Sequence, residues 1–133
     1  MSIDLIHQTA EQFRETVKQS TGIDIQYDEA GVALLEEMIA KTIGVQPGGS
    51  NDRIVQYMGA FLGETMVKCF GMYWTQRESD GQWVVTIKNS SGDDITSNPW
   101  NKVFKRIDLG AEENVSYYFA MVRKAIAGEI PIK

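Results

Sequence analysis

The chain has 133 residues, of which 43% are hydrophobic and 23% are charged, and its net charge is −5. This length and composition are typical of one globular domain, so we predict a single domain over residues 1–133 and exclude a disordered chain. Because nucleic acids and anionic lipids repel an acidic protein, the charge also disfavours a nucleic-acid function.

The N-terminal part is predicted to form two amphipathic helices. The first has apolar residues at alternating spacings of three and four, which form one buried stripe: Ile3, Ile6, Ala10, Phe13 and Val17. We expect this helix to end near Gly22. After a brief extended segment, Asp28 is a suitable N-cap for a second helix that closes at Gly44.

A third helix is predicted over residues 52–70, with its N-cap at residues 50–51. It is apolar around more than half of its circumference, which is typical of a central core helix. Gly59 and Gly63 lie four residues apart, so another element can approach the helix backbone closely there. Gly71 is expected to end the helix in the left-handed conformation.

The pattern then changes to that of short strands, predicted near residues 72–78, 82–89 and 94–97. Asp80-Gly81 separates the first two strands, and an Asp-Gly pair in this position is typical of a hairpin. We therefore predict a three-stranded antiparallel meander that packs one face on the third or the last helix.

A fourth helix is predicted to begin after Asn98, with Pro99 at its first position and Gly110 at its end. Its predicted inner face contains Val103, Phe104 and Ile107.

Glu112 and Glu113 are expected in the first turn of a fifth helix, where acidic residues favour the helix dipole. The predicted buried stripe of that helix contains Val115, Tyr118, Phe119, Val122 and Ile126. The predicted fold class is therefore α+β, with about five helices and a small antiparallel sheet.

The acidic residues concentrate in the N-terminal part of the chain. Residues 1–37 contain eight acidic and two basic residues, whereas the remainder carries a charge of +1. Such an excess could steer a basic protein toward the first two helices, or it could simply solvate their outer faces. The candidate partner surface comprises Asp28, Glu29, Glu36 and Glu37.

The single cysteine, Cys69, cannot form an intramolecular disulfide, which favours a reducing compartment. No basic region precedes the N-terminal apolar residues, and no apolar run approaches the roughly 20 residues of a membrane span. We predict a cytoplasmic protein that does not insert into a membrane.

Few residues are available for catalysis. His7, the only histidine, lies on a polar face of the first helix, and no nucleophile motif accompanies it. The chain lacks the Cys and His ligands of a zinc site, and the loop before residue 52 lacks the lysine of a P-loop. We predict no metal and no cofactor.

Glu64 is the acidic residue most clearly placed in apolar surroundings. A buried carboxylate in a pocket can act as a general acid or base, but buried charges are normally paired. Lys68 lies four residues further along the same helix and is the predicted partner, with Lys102, Arg106 or a tyrosine hydroxyl as alternatives.

Lys102, Lys105 and Arg106 form a basic trio close to Trp100. Stacking of a nucleic-acid base on the tryptophan is one interpretation. The interpretation that we favour is a solvated helix face with Trp100 as a core anchor, because the surrounding chain is acidic.

The stretch from Val55 to Phe119 contains a Phe61-Leu62-Gly63-Glu64 step, Gly71 and Trp74 before a hairpin, and an Asn98-Pro99-Trp100 start to a basic helix. It resembles a family of small bacterial domains of unknown function. The resemblance implies a bacterial, cytosolic α+β domain and identifies no catalytic residue. This resemblance and the pairing expected for Glu64 define a candidate buried polar cluster: Glu64, Lys68, Trp74, Trp100, Lys102, Lys105 and Arg106.

The sequence favours a non-enzymatic protein-binding or regulatory module. Its acidic N-terminal part is consistent with an immunity-type protein that neutralises a basic partner. The alternative is a small enzyme or small-ligand binder that uses Glu64 in a pocket near Trp74 and Trp100. A homodimer, formed through apolar surface between the first two helices, is a third hypothesis.

Overall fold

A computed structural model describes residues 2–42 and 52–130 of the chain, and the structural statements below concern these residues. The elements in chain order are α1 (Ile3–Thr21), α2 (Glu29–Thr42), α3 (Asp52–Phe70), β1 (Tyr73–Gln76), β2 (Trp83–Lys88), β3 (Asp94–Ser97), α4 (Pro99–Leu109) and α5 (Val115–Ile126). The predicted α+β fold class is confirmed. The predicted end of the second helix at Gly44 and the predicted N-cap of the third helix at residues 50–51 lie outside the described residues.

The end of α1 and the start of α2 lie at the residues that their capping chemistry indicates. At the end of α1, Gly22 has a φ of 78° and its N–H donates to the Lys18 carbonyl. Asp28 Oδ1 accepts a hydrogen bond of 2.7 Å from the Gly31 N–H, so the predicted N-cap of α2 is confirmed. None of the described helices combines the length and the apolar character that a membrane span requires.

Helix α3 is the centre of the core, as predicted. Its residues from Met58 through Met66 are all buried. Helix α1 packs along it, where the Phe13 and Phe61 rings lie 5.3 Å apart, and Tyr27 stacks on Phe61 from the connection between α1 and α2. Helix α4 packs on α3 as well, whereas α2 packs chiefly on α5.

The sheet has the order β1-β2-β3 and is antiparallel throughout. Trp74, Val85 and Ser97 are neighbours across the three strands, and all three are buried. Strand β2 contacts α3 and β3 contacts α5, so the sheet packs on both of the predicted helices. The hairpin turn holds Gly81 at a φ of 71°.

Helix α4 has the predicted caps but a different inner face. Asn98 Oδ1 accepts from the Asn101 N–H, and Val103 is fully buried. The prediction that Phe104 points inward was wrong, because its side chain is 51% exposed. Lys102 and Arg106 take the inward positions instead.

The start of α5 also differs from the prediction. Glu112 and Glu113 lie in a separate 3-10 turn, Ala111–Glu113, that precedes the helix. The N-cap of α5 is Asn114, whose Oδ1 accepts a hydrogen bond of 2.9 Å from the Tyr117 N–H. An asparagine side chain satisfies an unpaired helix N–H, which glutamate at this position does less well.

Candidate functional site

Glu64 is buried and hydrogen-bonded to two side chains from other elements. It is 1% exposed, and its Oε1 accepts a hydrogen bond of 2.9 Å from the Trp74 indole N–H. His7 Nδ1 lies 2.7 Å from the same oxygen. The predicted partners were wrong, since neither Lys68 nor a residue of the basic trio bonds to this carboxylate.

His7, predicted to lie on a polar face of the first helix, is exposed and borders the α1 surface that packs on α3. Its neighbour Ile6 belongs to the buried stripe, while the His7 side chain is still 48% exposed. A partly exposed imidazole can therefore reach a carboxylate inside the core. The only signal in the sequence is that a lone histidine borders a buried stripe.

Lys68 lies away from Glu64, at the connection between α1 and α2. Its Nζ is 4.2 Å from the centre of the Tyr27 ring, a cation–π geometry. The Tyr27 hydroxyl donates to Glu11, and burial together with this hydrogen bond raises the pKa of Tyr27 above its ordinary value.

Trp74 and Trp100 meet against the two glycines of α3. Their ring centroids are 5.3 Å apart. A Cβ atom on Gly59 would lie 2.8 Å from Trp100 Cα, and one on Gly63 would overlap the Trp74 ring. The predicted close approach to the α3 backbone is thus confirmed.

Two residues of the basic trio are internal, and the prediction of a solvated face was wrong for them. Lys102, which is 9% exposed, donates a hydrogen bond of 2.6 Å to Glu113 and lies over the Tyr118 ring. This bond lowers the pKa of Glu113 below its ordinary value. A cavity of about 190 Å³ adjoins the pair. Only Lys105 is exposed.

Arg106 forms a buried ion pair with Glu36, which was predicted to belong to a partner surface. Arg106 Nε and one terminal nitrogen donate to the Glu36 carboxylate at 2.7 to 3.0 Å. Glu36 Oε1 also accepts a hydrogen bond of 2.9 Å from the Val115 N–H, at the start of α5. One carboxylate therefore joins α2, α4 and α5.

The other candidate surface acids are exposed. Glu29 forms an exposed ion pair with Arg123, and Asp28 caps α2. Glu37 is exposed on the outer face of α2. Within residues 2–42 and 52–130, no three His, Cys, Asp or Glu side chains are placed to hold a metal ion.

Two cavities among the described residues share Trp100 in their lining. One has a volume of about 510 Å³ and is lined by Val55, Gly81, Gln82, Trp83, Asn98, Trp100, Asn101 and Phe104. The other, of about 280 Å³, is lined by Leu5, Ile6, Thr9, Gln12, Gln56, Tyr57, Ala60 and Trp100. Because both cavities include Trp100 in their lining, they are adjacent. We call the two together the aromatic groove.

The aromatic groove has a distinctive composition. Its lining contains four aromatic residues, Tyr57, Trp83, Trp100 and Phe104, and none of its fifteen residues is charged. Trp100 is fixed in the middle, because its indole N–H donates to the Gln56 carbonyl. Glu64 lines neither cavity. Of the candidate cluster, only Trp100 belongs to this groove.

Comparisons with protein families, with curated proteins and with solved structures found no match to this chain. The resemblance to a bacterial family of unknown function therefore stays a prediction.

The role of the His7 and Glu64 contact can be measured. We expect His7→Ala to lower the free energy of unfolding by about 2 kcal/mol, because it removes a partner from a buried carboxylate. In a Glu64→Gln background the same change should cost less than about 0.5 kcal/mol, since a neutral amide needs no such partner.

Urea denaturation of the four proteins of this double-mutant cycle measures the coupling. Gln8→Ala, at an exposed neighbouring position of α1, is the matched control. An equal cost of His7→Ala in both backgrounds would show that the contact does not stabilise the fold.

Proposed function

We propose that this protein is a non-enzymatic protein-binding module and that the aromatic groove is its recognition surface. The observation that carries the proposal is the groove's lining of four aromatic residues without any charge. Centres of protein interfaces are enriched in aromatic residues and depleted of charged ones. An exposed aromatic residue, Phe104, stands at the groove and is available to a partner.

The surroundings of Glu64 support a binding role over the enzymatic alternative. An enzyme that used this residue would need the carboxylate at the surface of a substrate pocket. Its Oε1 is instead occupied by His7 and Trp74, and the side chain is 2% exposed. Burial and hydrogen bonding of this kind are typical of a structural carboxylate.

The proposal is tested with Phe104→Lys, which places a charge in the groove at an exposed position. Wild-type protein is used to isolate a partner from a cell extract, and the affinity of the purified partner is then measured by calorimetry. We expect Phe104→Lys to weaken binding by at least about tenfold, as for an interface hot spot.

Tyr117→Lys is the matched control, because Tyr117 is an exposed aromatic residue outside the groove, at 66% exposure against 51% for Phe104. It should bind as the wild type does. Unchanged affinity of Phe104→Lys, or the same loss in both variants, would disprove the role of the groove.

A second candidate function is the neutralisation of a basic protein, as an immunity protein would do. Seven of the eight acidic residues in residues 1–37 are exposed, and Glu36 is the exception. An acidic surface of this kind accelerates encounter with a basic partner. Changing Asp28, Glu29 and Glu37 to lysine should then lower the association rate in a salt-dependent manner. If the association rate does not respond to these changes, the neutralisation of a basic protein by this surface is ruled out.

A further inference from the structure

We infer that a polar pocket between β3, α4 and α5 binds a carboxylate group. The pocket is the cavity of about 190 Å³ that adjoins Lys102 and Glu113. All eight of its lining residues carry a polar or charged side chain, whereas no charged residue lines the aromatic groove. The pocket borders the groove at Asn98 and Asn101, but its role does not depend on that of the groove.

A buried ammonium group with unused hydrogen-bond donors lies in the wall of the pocket. The Lys102 side chain is 10% exposed, and its Nζ donates a hydrogen bond of 2.6 Å to Glu113. An ammonium has three N–H donors, and Glu113 is its one hydrogen-bond acceptor among the described residues. The Tyr118 ring, whose centre is 4.9 Å from Nζ, accounts for at most one more donor. At least one donor is therefore left for an acceptor in the pocket.

Two hydroxyl groups in the same wall provide a second donor. Ser97 Oγ and the Tyr118 hydroxyl oxygen lie 2.6 Å apart, and Ser97 is 2% exposed. Burial raises the pKa of Tyr118 above its ordinary value, so both groups keep their protons at neutral pH. One proton forms the bond between the two groups, and the other has no acceptor among the described residues. An unpaired buried donor is costly, so this proton also needs an acceptor in the pocket.

The charges in the pocket favour an acceptor with a single negative charge. Lys102 and Lys105 supply two positive charges, and Glu113 supplies one negative charge. The hydrogen bond from Lys102 and the charge of Lys105 lower the pKa of Glu113, so this carboxyl group stays ionised. A carboxylate balances the remaining positive charge and accepts hydrogen bonds through two oxygens. A phosphate dianion would leave an excess of negative charge beside Glu113.

The volume of the pocket limits the occupant to a small group. Pockets that enclose whole organic ligands typically have volumes of roughly 300 to 1,000 Å³. A cavity of about 190 Å³ accommodates the carboxylate end of a ligand and leaves the rest of a larger molecule outside. A small free acid and the C-terminus of a peptide both supply such a group, and binding measurements separate these two sources.

Binding is measured by NMR through the backbone amide signals of Ser97, Lys102 and Glu113, at pH 7 and constant ionic strength. The probes are acetate, N-acetylglycine, which has the carboxylate of a peptide C-terminus, and N-acetylglycinamide, which has no charge. We expect saturable shifts with acetate and N-acetylglycine and none with the amide. Tighter binding of N-acetylglycine would indicate a chain end as the ligand, and tighter binding of acetate a free acid.

Three variants separate a specific pocket from general charge attraction. Lys105→Met, which leaves the bond between Lys102 and Glu113 intact, should weaken acetate binding by about threefold, because Lys105 is exposed and its charge is screened. Glu113→Gln should strengthen it by at least about threefold, because the competing negative charge is removed. Lys18→Met, at an exposed position of α1, makes the same change in net charge as Lys105→Met and should not alter binding.

The absence of saturable shifts with both acetate and N-acetylglycine, or equal shifts with N-acetylglycinamide, would overturn the inference. Tighter binding of inorganic phosphate than of acetate would overturn the carboxylate as the ligand class. An equal loss of acetate binding in Lys18→Met and Lys105→Met would also contradict it, because the net charge of the protein would then explain the binding.

Discussion

Arg106→Ala is expected to lower the free energy of unfolding by about 4 kcal/mol, because it leaves the Glu36 carboxylate without its cationic partner. The Arg106 side chain is 5% exposed and that of Glu36 is 13% exposed, so water replaces little of the lost interaction. Domains of this size are stable by only about 5 to 15 kcal/mol, so the variant should be close to unfolding.

Denaturation by urea at pH 7 measures this effect, and Lys105→Ala is the matched control on the exposed side of the same helix. The control should change stability by less than about 0.5 kcal/mol. Replacing both partners, with Glu36→Met and Arg106→Met, should restore much of the loss, because neither charge then remains buried alone. A cost of Arg106→Ala no larger than that of Lys105→Ala would show that the pair is not stabilising.

Gly59→Ala is expected to destabilise the fold by about 3 kcal/mol, near the upper end of the range for overpacked cores. Alanine is the better helix former by about 1 kcal/mol, so the substitution would be stabilising at an open position of α3. The new methyl group would however lie 2.8 Å from Trp100 Cα, a backbone atom that a rotamer change cannot move. Strain therefore outweighs helix propensity.

The same denaturation experiment tests this expectation, with Thr16→Ala on the exposed face of α1 as a control for helix propensity. Gly63→Ala should also be destabilising, because its methyl group would meet the Trp74 ring and Pro99. Stability equal to or above that of the wild type for Gly59→Ala would mean that α4 moves away from α3 without cost.

The elements of this fold could be predicted because their signals are local. The start of α2 follows from Asp28, the end of α3 from Gly71 and the start of α4 from Asn98 and Pro99, each within one or two residues of the boundary. The close approach at Gly59 and Gly63 was predictable for a similar reason, since only glycine omits the Cβ atom that would prevent it.

The inner face of α4 could not be predicted, because its partners are far away in the chain. Periodicity favours Phe104 as a core residue over Lys102 or Arg106. The burial of Arg106 depends on Glu36, which lies 70 residues earlier. A pattern within one helix contains no information on an acid that another helix supplies.

The pairing of Glu64 shows the same limit on a smaller scale. The sequence indicated that this acid is buried and therefore paired, and both statements hold in the structure. The spacing rule within one helix pointed to Lys68, whereas the packing of α1 and the hairpin brought His7 and Trp74 to it. Tertiary contacts, not helical spacing, selected the partners.

The packing of α2 on α5 has a consequence for the protein while it is being synthesised. Helix α2 ends at Thr42, but α5, the helix that covers its apolar face, begins only at Val115. The Val115 N–H also donates a hydrogen bond to Glu36 of α2. More than half of the chain must leave the ribosome before that face is covered. Until then, the nascent chain exposes the apolar face of α2. Folding should therefore be completed only after α5 has left the ribosome.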